Sequence, residues 1–133
     1  MNSATIIQHI KNLLLVAVIF TVVDIGFLRY MMQYWDSQLK IIQGSGLKMD
    51  SVAAGLAYVV LVSGLYYFIM LDGKSPIQAA ILGWLIYLTY EFTNKAIFTS
   101  WSWTTVLMDG LWGGILFGLT TWLYYFIKGK LSK

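Results

Sequence analysis

Three carboxyl side chains stand inside apolar stretches of this sequence, at Asp24, Glu91 and Asp109. A carboxylate near the centre of a membrane helix costs about 2.5 to 3.5 kcal/mol on insertion scales, and less toward either end. Groups of that cost should face one another, a partner or a wet cavity. Asp24 lies seven residues before Met31, Glu91 seven before Phe98, Asp109 five after Thr104, and Tyr58 seven after Ser51. At the rise of an α-helix these counts put all four roughly 8 to 10 Å below one and the same face of a helical bundle. Tyr87, Tyr90, Glu91 and Asn94 follow the i, i+3, i+4, i+7 spacing of a single helical face, and Asp109, Trp112 and Gly113 share another. The predicted binding pocket therefore contains Asp24, Tyr58, Tyr87, Tyr90, Glu91, Asn94, Asp109 and Trp112. Its chemistry would be that of carboxyls in a low-dielectric site: taking up a proton, a cation or a small solute, or acting in pairs as acid and base.

A purely structural role competes with this reading. Glu91 and Lys95 stand in the favourable i, i+4 order for an ion pair, and Arg29 can snorkel toward Asp24 or Asp109, so these two cations are the ion-pair candidates. Two cations cannot neutralise three anions, however. At neutral pH at least one of Asp24, Glu91 and Asp109 is expected to hold a proton, or the site a cation, with Asp109 as the proton carrier. Other chemistries fall away. The chain has no cysteine, which removes thiolate ligands, disulfides and Cys nucleophiles. His9 is the single histidine and reads as a solvated juxtamembrane residue; no metal site and no cofactor are expected. No Ser/His/Asp arrangement, phosphate-cradling loop or dinucleotide fingerprint is present, so catalysis is the less favoured reading.

The elements that must carry these groups follow from composition. Of 133 residues, 59% are hydrophobic and only 11% charged, against roughly 25% charged in soluble domains. The chain reads as one all-α transmembrane domain, 1–133, a bundle of four membrane helices over about 12–30, 51–71, 77–98 and 104–127. After the first span, Met31, Trp35, Leu39 and Ile42 fall opposite Gln33, Asp36, Lys40 and Gln43, which predicts an amphipathic interfacial helix. On the fourth span Gly110, Gly114 and Gly118 repeat every four residues beside Gly113. They form a helix-packing groove for the bundle itself in preference to a homo-oligomer.

Both termini share one side. Lys11, Lys74, Lys128, Lys130 and Lys133 stand there against Arg29, Lys40, Lys48 and Lys95 opposite, which favours cytoplasmic termini in a cell or inner membrane. The net charge of +3 suits anionic lipid head groups. Membrane lipids are the expected partners, with no nucleic acid.

Asp24, the run Tyr90-Glu91-Phe92-Thr93-Asn94, Trp101 and the run Asp109-Gly110-Leu111-Trp112-Gly113 resemble the marks of a domain-of-unknown-function family of small four-span membrane proteins, found mostly in bacteria. The resemblance covers nearly the whole chain. It implies a four-span architecture with a shared polar pocket, and no reaction. The family usually carries Asp where this chain has Glu91, one methylene longer. Three functions follow in order: a small channel or transporter binding a proton or cation at the carboxyls, an assembly or accessory protein with a structural polar core, and a membrane-embedded enzyme acting on a lipid-like substrate.

Overall fold

The computed structural model describes residues 2–129; Lys130 and Lys133, counted above toward orientation, lie outside them. Four helices account for nearly all of this range: α1 (Ser3–Gln43), α2 (Ser51–Leu65), which runs on into a π-helical turn (Tyr66–Met70), α3 (Pro76–Ile97) and α4 (Trp103–Ile127). Each start is set by a short polar side chain. Asn2, Asp50 and Ser102 accept from backbone N–H groups of the first turn, and Ser75 forms a reciprocal capping box with Gln78 ahead of Pro76.

α1 differs from the expected layout. The segment expected as a separate interfacial helix is the uninterrupted continuation of α1. No Pro or Gly stands between Gly26 and Gly44, so nothing breaks the backbone ladder until Gly44 takes a left-handed conformation (φ 76°) and closes it. The helix is 41 residues long, about 61 Å at the helical rise and twice the hydrocarbon thickness of a bilayer. Its far end packs on the rest of the bundle. Met31 is fully buried, and the Gln38 amide donates to Thr105 Oγ1 (2.9 Å) while its carbonyl accepts from Ser102 N–H, which ties α1 to the α3–α4 turn.

Beyond that contact α1 meets the connection to α2. Asp36 pairs with Lys40 at 2.8 Å and accepts from Leu47 N–H at 2.8 Å. A Cβ at Gly46 would strike that carboxylate. Lys40 first, and the Leu47 N–H next, hold the Asp36 carboxyl below its ordinary value. A depressed carboxyl contributes above its unfolded value near 3.9, and the contribution disappears as pH falls through the lower folded value. The Leu47 amide resonance is accordingly expected to titrate with a midpoint below about 3.9. A midpoint at or above it removes this tie.

The helices alternate in direction. At one end His9, Asn12, Tyr66 and Lys128 are joined by hydrogen bonds, and Tyr125 donates to the Lys74 carbonyl (2.6 Å); at the other, Gln38 meets Ser102 and Thr105. α4 is the centre, closely paired with α3 and packed against α1, and its Gly-rich face explains how. The Tyr87 ring lies on Gly113, the Trp84 indole on Gly114 and Leu88 on Gly110, while Pro76 and Ala80 approach Gly118. Trp84 Nε1 donates to the Leu111 carbonyl across the seam (2.9 Å). The small-residue groove holds α3 of the same chain. α1, the α2 segment through Met70, and α4 are long and apolar enough to cross a membrane. α3 carries more polar residues and lies along α4.

Candidate functional site

The polar groups singled out in the sequence meet in two adjoining clusters. In the first, Asp24, 2% exposed, comes from the middle of α1. Its Oδ2 accepts from the Tyr58 hydroxyl of α2, and its Oδ1 from Trp112 Nε1 of α4 at 2.8 Å. Phe27 stacks on the Trp112 indole (centroids 4.6 Å apart, 13° between planes) and Phe20 meets Tyr58 edge-on, so both donors are held in place by rings from α1. One carboxyl thereby joins three helices.

In the second cluster Glu91 of α3 is completely buried. Its Oε2 accepts from Trp101 Nε1 at 2.7 Å, whereas Oε1 is buried with no partner. The Asp109 carboxyl of α4, also buried, lies near Glu91 in the α3–α4 seam. Tyr87 stands between the clusters. Its ring fills the space over Gly113, edge-on to Phe117, and it lies within electrostatic range of both Asp24 and Asp109. Asn94 is buried one turn from Glu91 on the same helix.

Two expectations require correction. Tyr90 is 59% exposed and faces outward, because the face of α3 set against α4 is centred on Gly83, Tyr87, Glu91 and Asn94 and leaves Tyr90 about 60° to its side. The ion pairs do not form either. Among the described residues Arg29 and Lys95 have no acidic partner; Arg29 is exposed and Lys95 Nζ sits 5.7 Å from the centroid of the Trp103 ring. Glu91 points into the α3–α4 seam, where Lys95 one turn on does not follow. Among the described residues no three His, Cys, Asp or Glu side chains converge closely enough to hold a metal ion.

Other partners were missed. Trp101, which carries no role in the predicted pocket, holds Glu91 through its indole across the α3–α4 turn. Gln38 went unnoticed although Phe20, Asp24, Met31 and Gln38 recur at spacings of four, seven and seven, a one-face pattern open to inspection. His9, read as solvated, lies with Nδ1 2.8 Å from the Tyr66 hydroxyl, which also accepts from Asn12 Nδ2; Lys128 Nζ donates to Asn12 Oδ1 (3.1 Å).

The comparison with known families meets this geometry directly. A family model described as predicted membrane protein (DUF2177) matches residues 9–126, a stretch that runs from the His9 anchor to the last turn of α4 and includes every residue of both clusters. The chain belongs to this family. DUF2177 is a membrane-protein family of unknown function, so membership makes this chain an integral membrane protein in contact with lipid and assigns it no reaction. No curated protein and no solved structure matches it.

Proposed function

We propose that this DUF2177 protein moves protons, or a solute coupled to them, across its membrane, with α3 as the fourth crossing and Glu91 and Asp109 as the carrier pair. The observation that carries this reading is the orphaned Glu91 Oε1, buried without a donor on the face of α3 set against α4, the helix that carries the buried Asp109 carboxyl. A shared proton satisfies both groups at once, and its departure leaves two like charges in a dry seam, so the pair favours rapid reloading. A metal cation fits less well, since these side chains offer too few converging ligands. Asp24 belongs to a different role. Both its oxygens already hold donors, which favours a packing function for that half of the polar core. Cytoplasmic termini in a cell or inner membrane complete the reading.

The test is proton uptake into liposomes containing the purified protein and a trapped pH-sensitive dye, driven by a potassium diffusion potential. Uptake should exceed that of empty liposomes and fall at least tenfold in Asp109→Asn and in Glu91→Gln, with the helical circular dichroism retained. Asp109→Glu should keep part of the rate. Wild-type uptake equal to that of empty liposomes, or full rates in both neutral variants, overturns the proposal.

A further inference from the structure

A second feature lies outside the carboxyl clusters. Between α1 and α2 runs a groove of about 330 Å³, walled by Ile10, Leu13, Leu14 and Ala17 on one side and Val59 and Val62 on the other. Its long axis spans Ile10 to Thr21, about 16 Å at the helical rise. Tyr58 forms its inner end, and the hydrogen bond of that tyrosine to Asp24 closes the way further in.

Width and charge select the occupant. A helix is about 10 Å across with its side chains, so a length of helix matching the groove would fill roughly four times its volume. A single hydrocarbon chain matches a slot this narrow, and the groove opens sideways from helices that stand in lipid. The mouth lies at the level where His9 meets Tyr66. Ser63 lines the groove three residues deeper than Tyr66, about 4.5 Å inward, the depth of an acyl ester below its phosphate. The mouth level also carries Lys11 and Lys128. Neither has an acidic partner among the described residues: Lys128 donates to the neutral Asn12 side chain, and the nearby acid Asp72 is taken by Lys74. Positive charge above an apolar slot is complementary to an anionic head group above an acyl tail.

We infer that the α1–α2 groove binds one acyl chain of an anionic phospholipid from the leaflet on the side of the termini, its ester at Ser63 and its phosphate near Lys11 and Lys128. The site is separable from the proton pair, which lies on the other side of the bundle between α3 and α4.

The absence of cysteine permits a clean test. Leu14→Cys, in the groove and 62% exposed, and Ile81→Cys, lipid-facing on α3 and 48% exposed, each receive a small fluorophore in the full-length protein. The variants are placed in phosphatidylcholine vesicles containing brominated phosphatidylglycerol or, separately, brominated phosphatidylcholine in phosphatidylglycerol. Quenching at residue 14 should require at least threefold less brominated phosphatidylglycerol than brominated phosphatidylcholine, with no difference at residue 81. The preference should vanish in K11Q combined with K128Q, and K11Q alone, on an exposed side chain, should halve it. Equal quenching by both lipids at residue 14 means ordinary annular lipid and overturns the inference. Weak quenching by both, together with excimer emission from a pyrene label at residue 14, means that a second copy covers the groove and overturns it equally.

Discussion

Gly83→Ala is expected to destabilise the protein by about 1 to 3 kcal/mol, although alanine is the better helix former. A Cβ at Gly83 meets the backbone carbonyl of Gly113 and the Phe117 ring, and neither is the free end of a flexible side chain. The α3–α4 seam must open, moving buried Glu91 on α3 away from buried Asp109 on α4. Gly26→Ala provides the opposite sign. A Cβ there meets nothing within 4 Å, so only the helix-propensity gain of up to about 1 kcal/mol remains. Thermal unfolding in detergent, followed by far-ultraviolet circular dichroism, should lower Tm by several degrees for Gly83→Ala and leave it level or raised for Gly26→Ala. Equal Tm values in the two variants are incompatible with a close α3–α4 approach.

Asp24→Leu should release α2. The substitution strands the Tyr58 hydroxyl and the Trp112 indole N–H, and hydrogen bonds between membrane helices are worth about 0.6 to 1.7 kcal/mol each. Leucine inserts more readily than aspartate, but that preference also applies to the separated helices in the membrane and offsets little of the lost contact. Few other contacts hold the first two turns of α2, where Val52 and Leu56 are exposed. Amide exchange over residues 51–58 should therefore accelerate roughly three- to twentyfold, the equivalent of the one lost bond that reaches α2. Asp24→Asn retains an acceptor and should show a smaller effect. Unchanged exchange in Asp24→Leu argues that α2 is held elsewhere.

The residues show what was legible and why. Helical rise is a fixed ruler, so counting inward from one face singled out Asp24 and Tyr58, which the structure joins by a hydrogen bond, without any knowledge of packing. The glycine repeat likewise announced a close approach, and α3 occupies it. Partners joined across a turn or between distant helices leave no such periodic trace. Nothing in the spacing of Glu91 and Trp101 specifies that the indole folds back to the carboxyl, and the i, i+4 pattern pointed to Lys95, which turns toward Trp103 instead. Local pattern also read the end of α1 as interfacial. An amphipathic stretch following an apolar one resembles an interfacial helix, but its less polar side, including Met31, packs on protein and carries Gln38 to the α3–α4 turn. The π-helical turn at Tyr66 has no residue signature, because one extra residue per turn is chosen by the packing of Tyr66, Ile69 and Met70.

The long first helix has a mechanical consequence. It is pinned at His9, at Asp24 and at Gln38, points fifteen and fourteen residues apart, or roughly 22 and 21 Å along one rod. A rod fastened three times can neither slide nor spin without breaking all three fastenings together. α4 is locked to it through Trp112 and to α3 through the glycine seam. Among the described residues the outer half of α2, away from the π-helical turn, is tied to the rest of the bundle by one side-chain hydrogen bond, that of Tyr58 to Asp24.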